Sequence, residues 1–170
     1  TAHNGMKVRL RRPLDFVVLA DHAANIGVMN ALITENADFL NTVSGKALYS
    51  KFQNIISSHD SQGKSTAANE FLRLLRTENT TDEVGKQSIW NRITASADKY
   101  NSPGQFTAFI GYEWTSYGSE FLSSSSVFGN LHRVVIYKDA ADKASQLLPF
   151  SRIDSDNPED LWRYMEKYQQ

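Results

Sequence analysis

Residues 106–114 read FTAFIGYEW and residues 130–138 read NLHRVVIYK, and the way these two stretches pair decides the fold. Phe106 to Tyr112 is β-branched and aromatic with hardly a charge, the pattern of a strand covered on both faces. That run ends on an acid, Glu113. The second run, Arg133 to Tyr137, is another short strand, beginning just after His132. Paired as a hairpin, the C-terminal end of the first lies beside the N-terminal start of the second. Glu113 and His132 then face each other at one edge of the sheet, which outlines a metal site. The connection from Thr115 to Asn130 is rich in Ser and Gly and predicts a mobile loop.

Upstream, LDFVVLADHAANIG supplies a third strand. Phe16 to Ala20 is apolar, Val-rich and too short for a helix, which predicts a buried strand ending on Asp21-His22. In α/β sheets ligands bind outside the carboxyl ends of strands, where rigid backbone aims terminal side chains into the crevice. Before it, Lys7, Arg9, Arg11 and Arg12 alternate with Val8 and Leu10, an extended segment read as a solvated edge.

Between these strands, residues 28–101 read as a helical insertion within a single domain spanning 1–170. Met29, Leu32, Ile33, Asn36, Ala37 and Leu40 fall at helical spacing, mostly apolar on one face. So do Leu48, Phe52, Ile55 and Ile56, then Ala68, Phe71, Leu72 and Leu75 behind a Ser65 N-cap, then Ile89, Trp90, Ile93, Ala97 and Tyr100. Such an insertion serves as a lid, a scaffold or a partner-binding surface. His59 falls in a polar link and reads as solvated. Gly63-Lys64-Ser65 lacks the first Gly and the preceding strand of a phosphate-binding loop. Residues 138–156 read as loop. A last helix is announced by Asn157 as N-cap, Pro158 at the first position and Glu159 and Asp160 in the first turn, with Leu161, Trp162, Met165 and Tyr168 as its apolar face.

Composition narrows the function classes. At 41% hydrophobic and 22% charged, the 170 residues suit a soluble globular domain, of cytoplasm or periplasm, and no run matches the roughly 20 residues of a membrane span. A net charge of −1 argues against nucleic-acid or anionic-membrane partners. With no cysteine, any metal has to be held by His, Asp and Glu. No GxSxG elbow is present for a serine hydrolase. Asp21-His22, Glu113 and His132 together are the ligands that a hydrolytic di- or trinuclear metal site uses.

Four blocks in order, RRPLDFVVLADHAANIGV, FTAFIGYEWTS, GNLHRVVIY and DSDNPEDLW, resemble an uncharacterised bacterial family related to the PHP (polymerase and histidinol phosphatase) superfamily. The resemblance implies an α/β fold, part of a distorted (β/α)7 barrel, with up to three Zn, Mn or Fe ions and hydrolysis of a small anionic phosphoester. It implies that His22 and His132 are metal ligands and that Glu113 is the bridging acid. Asp21 would orient His22 or assist proton transfer, and Arg133 is a weaker candidate anion contact. The family's His-x-His strand is absent from the chain. The expectation is therefore a central piece of a larger enzyme, inactive by itself, with open sheet edges that favour self-association. The alternative is a non-catalytic module whose helical insertion binds a partner.

Overall fold

A computed structural model describes residues 5–116 and 131–170. The chain runs β1 (Phe16–Val18), α1 (Val28–Ile33), α2 (Ala37–Leu40), α3 (Val43–Ser57), α4 (Ser61–Thr77), α5 (Glu83–Tyr100), β2 (Thr107–Phe109), β3 (Gly111–Ser116), β4 (Leu131–Ile136), α6 (Ala141–Ala144) and α7 (Pro158–Gln169). This is a mixed α/β architecture, and no closed barrel is formed among the described residues. β1 pairs with β2 in parallel, and β3 pairs with β4 antiparallel. Ile110 alone separates β2 from β3, and an isolated parallel bridge from His22 to Glu113 carries the β1 strand past that break. One extended stretch, residues 107–116, thus has a parallel neighbour on one side and an antiparallel neighbour on the other.

The helices between β1 and β2 follow local signals. Thr42, Asp60 and Asp82 cap α3, α4 and α5, each side chain accepting from a backbone N–H of the first turn. The cap of α4 is Asp60 rather than Ser65, so Gly63, Lys64 and Ser65 lie inside the helix. Lys64 Nζ donates to the Ile56 carbonyl at 2.8 Å. The first helical group is broken in two because Glu35 adopts φ 50° and Asn36 caps a new turn. His59 is exposed, as read from the sequence.

Two apolar clusters result. Tyr112, Trp114, Val135 and Tyr137 from β3, β4 and its end pack with Trp90 and Leu161. Val28, Leu32, Phe39, Leu48, Phe71, Leu75 and Ile89 form the second cluster among the helices. Gly111 sits where a Cβ would meet Val18 Cγ2 at 2.6 Å and the Val135 carbonyl at 2.8 Å, so the three strands approach only through glycine.

Several expectations are corrected. The N-terminal basic segment is neither a strand nor one-sidedly buried, and Val8 and Leu10 are both exposed. β1 is shorter than expected and not buried, with Phe16 64% and Leu19 76% exposed, because among the described residues only β2 pairs with it. The β3 strand does not stop at Glu113 but continues to Ser116, and β4 begins at Leu131 and so contains His132. A short helix, α6, interrupts the stretch expected to be loop. In α7, Leu161, Tyr164 and Tyr168 face the core and Trp162 is exposed. Residues 117–130, most of the connection read as mobile, lie outside the described residues.

Candidate functional site

The segment after β1 and the strands β3 and β4 converge on one carboxylate. Glu113 N–H donates to the Asp21 carbonyl and Ala23 N–H donates to the Glu113 carbonyl, both at 2.8 Å. This clamp on either side of His22 sets the His22 and Glu113 side chains next to each other on one face. On the other side the antiparallel register puts Thr115 directly opposite His132 and Glu113 opposite Val134. Side chains alternate along a strand, so Glu113 and Thr115 share a face with His132 and Val134. Glu113 and His132 are thus diagonal neighbours, near enough for long side chains to touch.

They do touch. His22 Nδ1 lies 3.0 Å from Glu113 Oε2, and His132 Nδ1 lies 2.9 Å from Glu113 Oε1. Thr115 Oγ1 is 3.1 Å from both of those ring nitrogens. The two rings stand 6.4 Å apart between centroids. The histidine side chains are 65% and 45% exposed and Glu113 is 21% exposed, so the cluster has a wet rim over a drier floor. That floor is Thr115, which is buried. Thr115 was not among the residues singled out from the sequence, because it neither titrates nor ligates strongly. The strand period of two was the signal that could have found it, since it places 115 on the face of 113.

The other two candidates go elsewhere. Asp21 shares the opposite face with Val17 and Leu19, and with Tyr100 and Phe109 these line a cavity of about 470 Å³. Its contribution to the cluster is its carbonyl, not its carboxylate. Arg133 lies opposite Trp114, on the face away from His132, and its Nη1 donates to the His132 carbonyl at 2.8 Å. Among the described residues, no group of three or more His, Cys, Asp or Glu side chains is disposed to hold a metal ion as it stands. The histidines and Glu113 hold one another instead, imidazole to carboxylate to imidazole.

Fold and cluster together describe an α/β protein with a His–Glu–His cluster where the segment after β1 meets the β3–β4 pair. The chain belongs to the DUF3604 family, described as a protein of unknown function, whose model matches residues 1–170. No curated protein and no solved structure matches it. No helix among the described residues is long and apolar enough to cross a membrane.

Proposed function

We propose that the chain carries part of the metal centre of a PHP-type hydrolase, one that cleaves a small anionic phosphoester with activated water. The single observation supporting this is the meeting of His22, beyond the end of β1, with Glu113 of β3 and His132 of β4 at one solvent-facing edge. Stability alone is a weak reason for such a meeting, since exposed ion pairs contribute about 0–1 kcal/mol. Two imidazoles and a carboxylate are the donors that Zn, Mn or Fe take, so the donor set fits the ion in kind. His22, Glu113 and His132 make up the shell that would hold it. Bound there, the ion would supply a water of lowered pKa and polarise a phosphoryl oxygen. The chain's own residues position that chemistry. The backbone clamp around His22 and the hairpin under His132 fix where the two rings sit, and Glu113 ties them to each other. In this reading the Asp21 carboxylate and the Arg133 guanidinium do not join His22, Glu113 and His132 in the shell, because those side chains lie on other faces.

The test is metal content of the protein and its turnover of a generic phosphodiester, with Glu113→Gln alongside. The expected result is bound transition metal in the wild type, less of it in the variant, lost turnover and an unchanged circular dichroism spectrum. Wild-type protein that takes up neither Zn nor Mn, or a Glu113→Gln variant with undiminished turnover, overturns the proposal. The first of these outcomes would leave the helical segment as a partner-binding module.

A further inference from the structure

The cavity of about 470 Å³ lies between α5 and the β1–β2 pair, on the face of β1 opposite that of His22. That size suits a small molecule, since ligand cavities run from about 300 to 1,000 Å³ and are mostly apolar with a few orienting polar groups. Buried Ile26 and Ile110 line it with half-buried Ile93, so its floor is dry. Its rim is wet, because Asp21 and Tyr100 also line it and both are exposed. Asp21 is the one charged residue among the described lining residues. Its backbone is held in place, since its carbonyl accepts from Glu113 N–H at 2.8 Å. Its carboxylate is uncommitted: among the described residues no ion pair reaches it. The Tyr100 ring is open to a cation, as Lys99 Nζ shows by standing 5.6 Å from its centroid. Phe106 adds a second aromatic wall.

We propose that this cavity binds a hydrophobic monoamine in its protonated form. The apolar body lies against Ile26, Ile93 and Ile110, and the ammonium group stays at the rim that Asp21 and Tyr100 share. The contrast between floor and rim sets that orientation. Apolar surface gains by leaving water for the isoleucines, whereas a charge at the rim keeps its hydration and meets a carboxylate of opposite sign. A neutral ligand of the same shape forgoes the charge contacts, and an anion is repelled by Asp21. A sugar or nucleotide would leave its hydroxyl groups against apolar walls with no partner, which is costly. The site contains none of His22, Glu113 and His132, so it stands or falls apart from the metal reading.

Methyl proton–carbon spectra of isoleucine-labelled protein, titrated at neutral pH with phenylbutylamine, read the site directly. Ile26→Val, Ile93→Val and Ile110→Val assign the floor methyls. The amine should shift those signals and saturate. Phenylbutanol, the same body without the charge, should bind about 3–10-fold more weakly. Asp21→Asn, which keeps the backbone bond to Glu113, should bring the amine to the affinity of the alcohol. Ala97→Phe fills the cavity from its α5 wall and should abolish binding of both; Ser96→Phe does the same from an exposed lining position should Ala97→Phe fail to fold. Shifts confined to other isoleucines, or none up to the solubility limit, overturn the site. Alcohol that binds the wild type as tightly as the amine, or amine affinity unchanged in Asp21→Asn, overturns the choice of ligand. Undiminished binding to a folded, cavity-filled variant places the amine elsewhere and overturns the proposal as well.

Discussion

Asn25, three residues beyond His22, fastens the end of the β1 segment to the helices. Its Nδ2 donates to the carbonyls of Leu75 and Glu78 at 2.9 and 2.7 Å. Its Oδ1 accepts from the hydroxyls of Thr80 and Thr81 at 2.9 and 3.1 Å, and from Thr80 N–H at 3.4 Å. It also adopts φ 50°, a left-handed conformation that Asn tolerates and Ala does not. Replacing it with Ala removes four good hydrogen bonds at about 0.5–1.5 kcal/mol each, discounted for the exposed one to Glu78, and adds about 1 kcal/mol of backbone strain. The sum is about 3 kcal/mol. Asn25→Gly loses the same bonds but keeps the backbone at ease, so its cost is about 2 kcal/mol. Urea unfolding followed by tryptophan fluorescence measures both. With a slope of about 2 kcal/mol/M, the midpoint should fall by about 1.5 M for Ala and about 1 M for Gly. An Ala variant within about 0.5 kcal/mol of wild type would show that these bonds contribute nothing net in solution, and a Gly variant as unstable as Ala would refute the strain.

Three further outcomes are expected. The Asp82 carboxyl is held below its ordinary value by the Ser44 backbone N–H, then by that of Gly85. Its stabilisation is therefore present above the unfolded value near pH 4 and fades as pH falls through the folded one, so Asp82→Asn should flatten the acid limb of a stability profile; an unaltered limb counts against the cap. Leu161→Ala should cost about 2–5 kcal/mol and Trp162→Ala less than about 0.5, because the first is buried and the second half-exposed, and equal chemical-denaturation midpoints would contradict that helix phase. Burial pushes the Tyr112 and Tyr137 phenols above their ordinary value, and burial followed by the Asp139 hydrogen bond pushes Tyr168 up to about 12. A raised folded value means stabilisation that is present below about pH 10 and declines above it. In an alkaline absorbance titration, Tyr112→Phe and Tyr137→Phe should leave the first wave intact and reduce only the late one; loss of signal near pH 10 would show those phenols to be open to water.

What was legible in the chain was what its neighbours in sequence decide. The start of α7 followed from Asn157 and Pro158, because capping is a contact within one turn. The meeting of Glu113 with His132 followed from pairing two strands, although the register made it diagonal rather than direct. His22 as the third member followed from a strand ending on Asp-His, but the choice of His22 over Asp21 rests on which face points inward, which alternation fixes only once a partner strand is known. Phe16 and Leu19 were misread as buried because apolarity tells which side chains favour burial, not which elements arrive to cover them. The break at Glu35 was hidden since nothing nearby is Gly or Pro. The inward face of α7 shows how little separates two phases: Leu161, Met165 and Tyr168 look as apolar as Leu161, Tyr164 and Tyr168, and only packing chose the second.

Helix α5 contributes Ile89 to one apolar cluster and Trp90 to the other, while Ile93 lies against both. Adjacent residues of a single rigid rod are thus shared property of two cores. Neither can loosen without pulling on the rod that anchors its neighbour, so opening of the helical lobe and opening of the sheet are tied into one cooperative event. The floor of the His–Glu–His cluster, which stands on the same strand as Tyr112 and Trp114, is thereby tied to side chains packed on the opposite face of that strand.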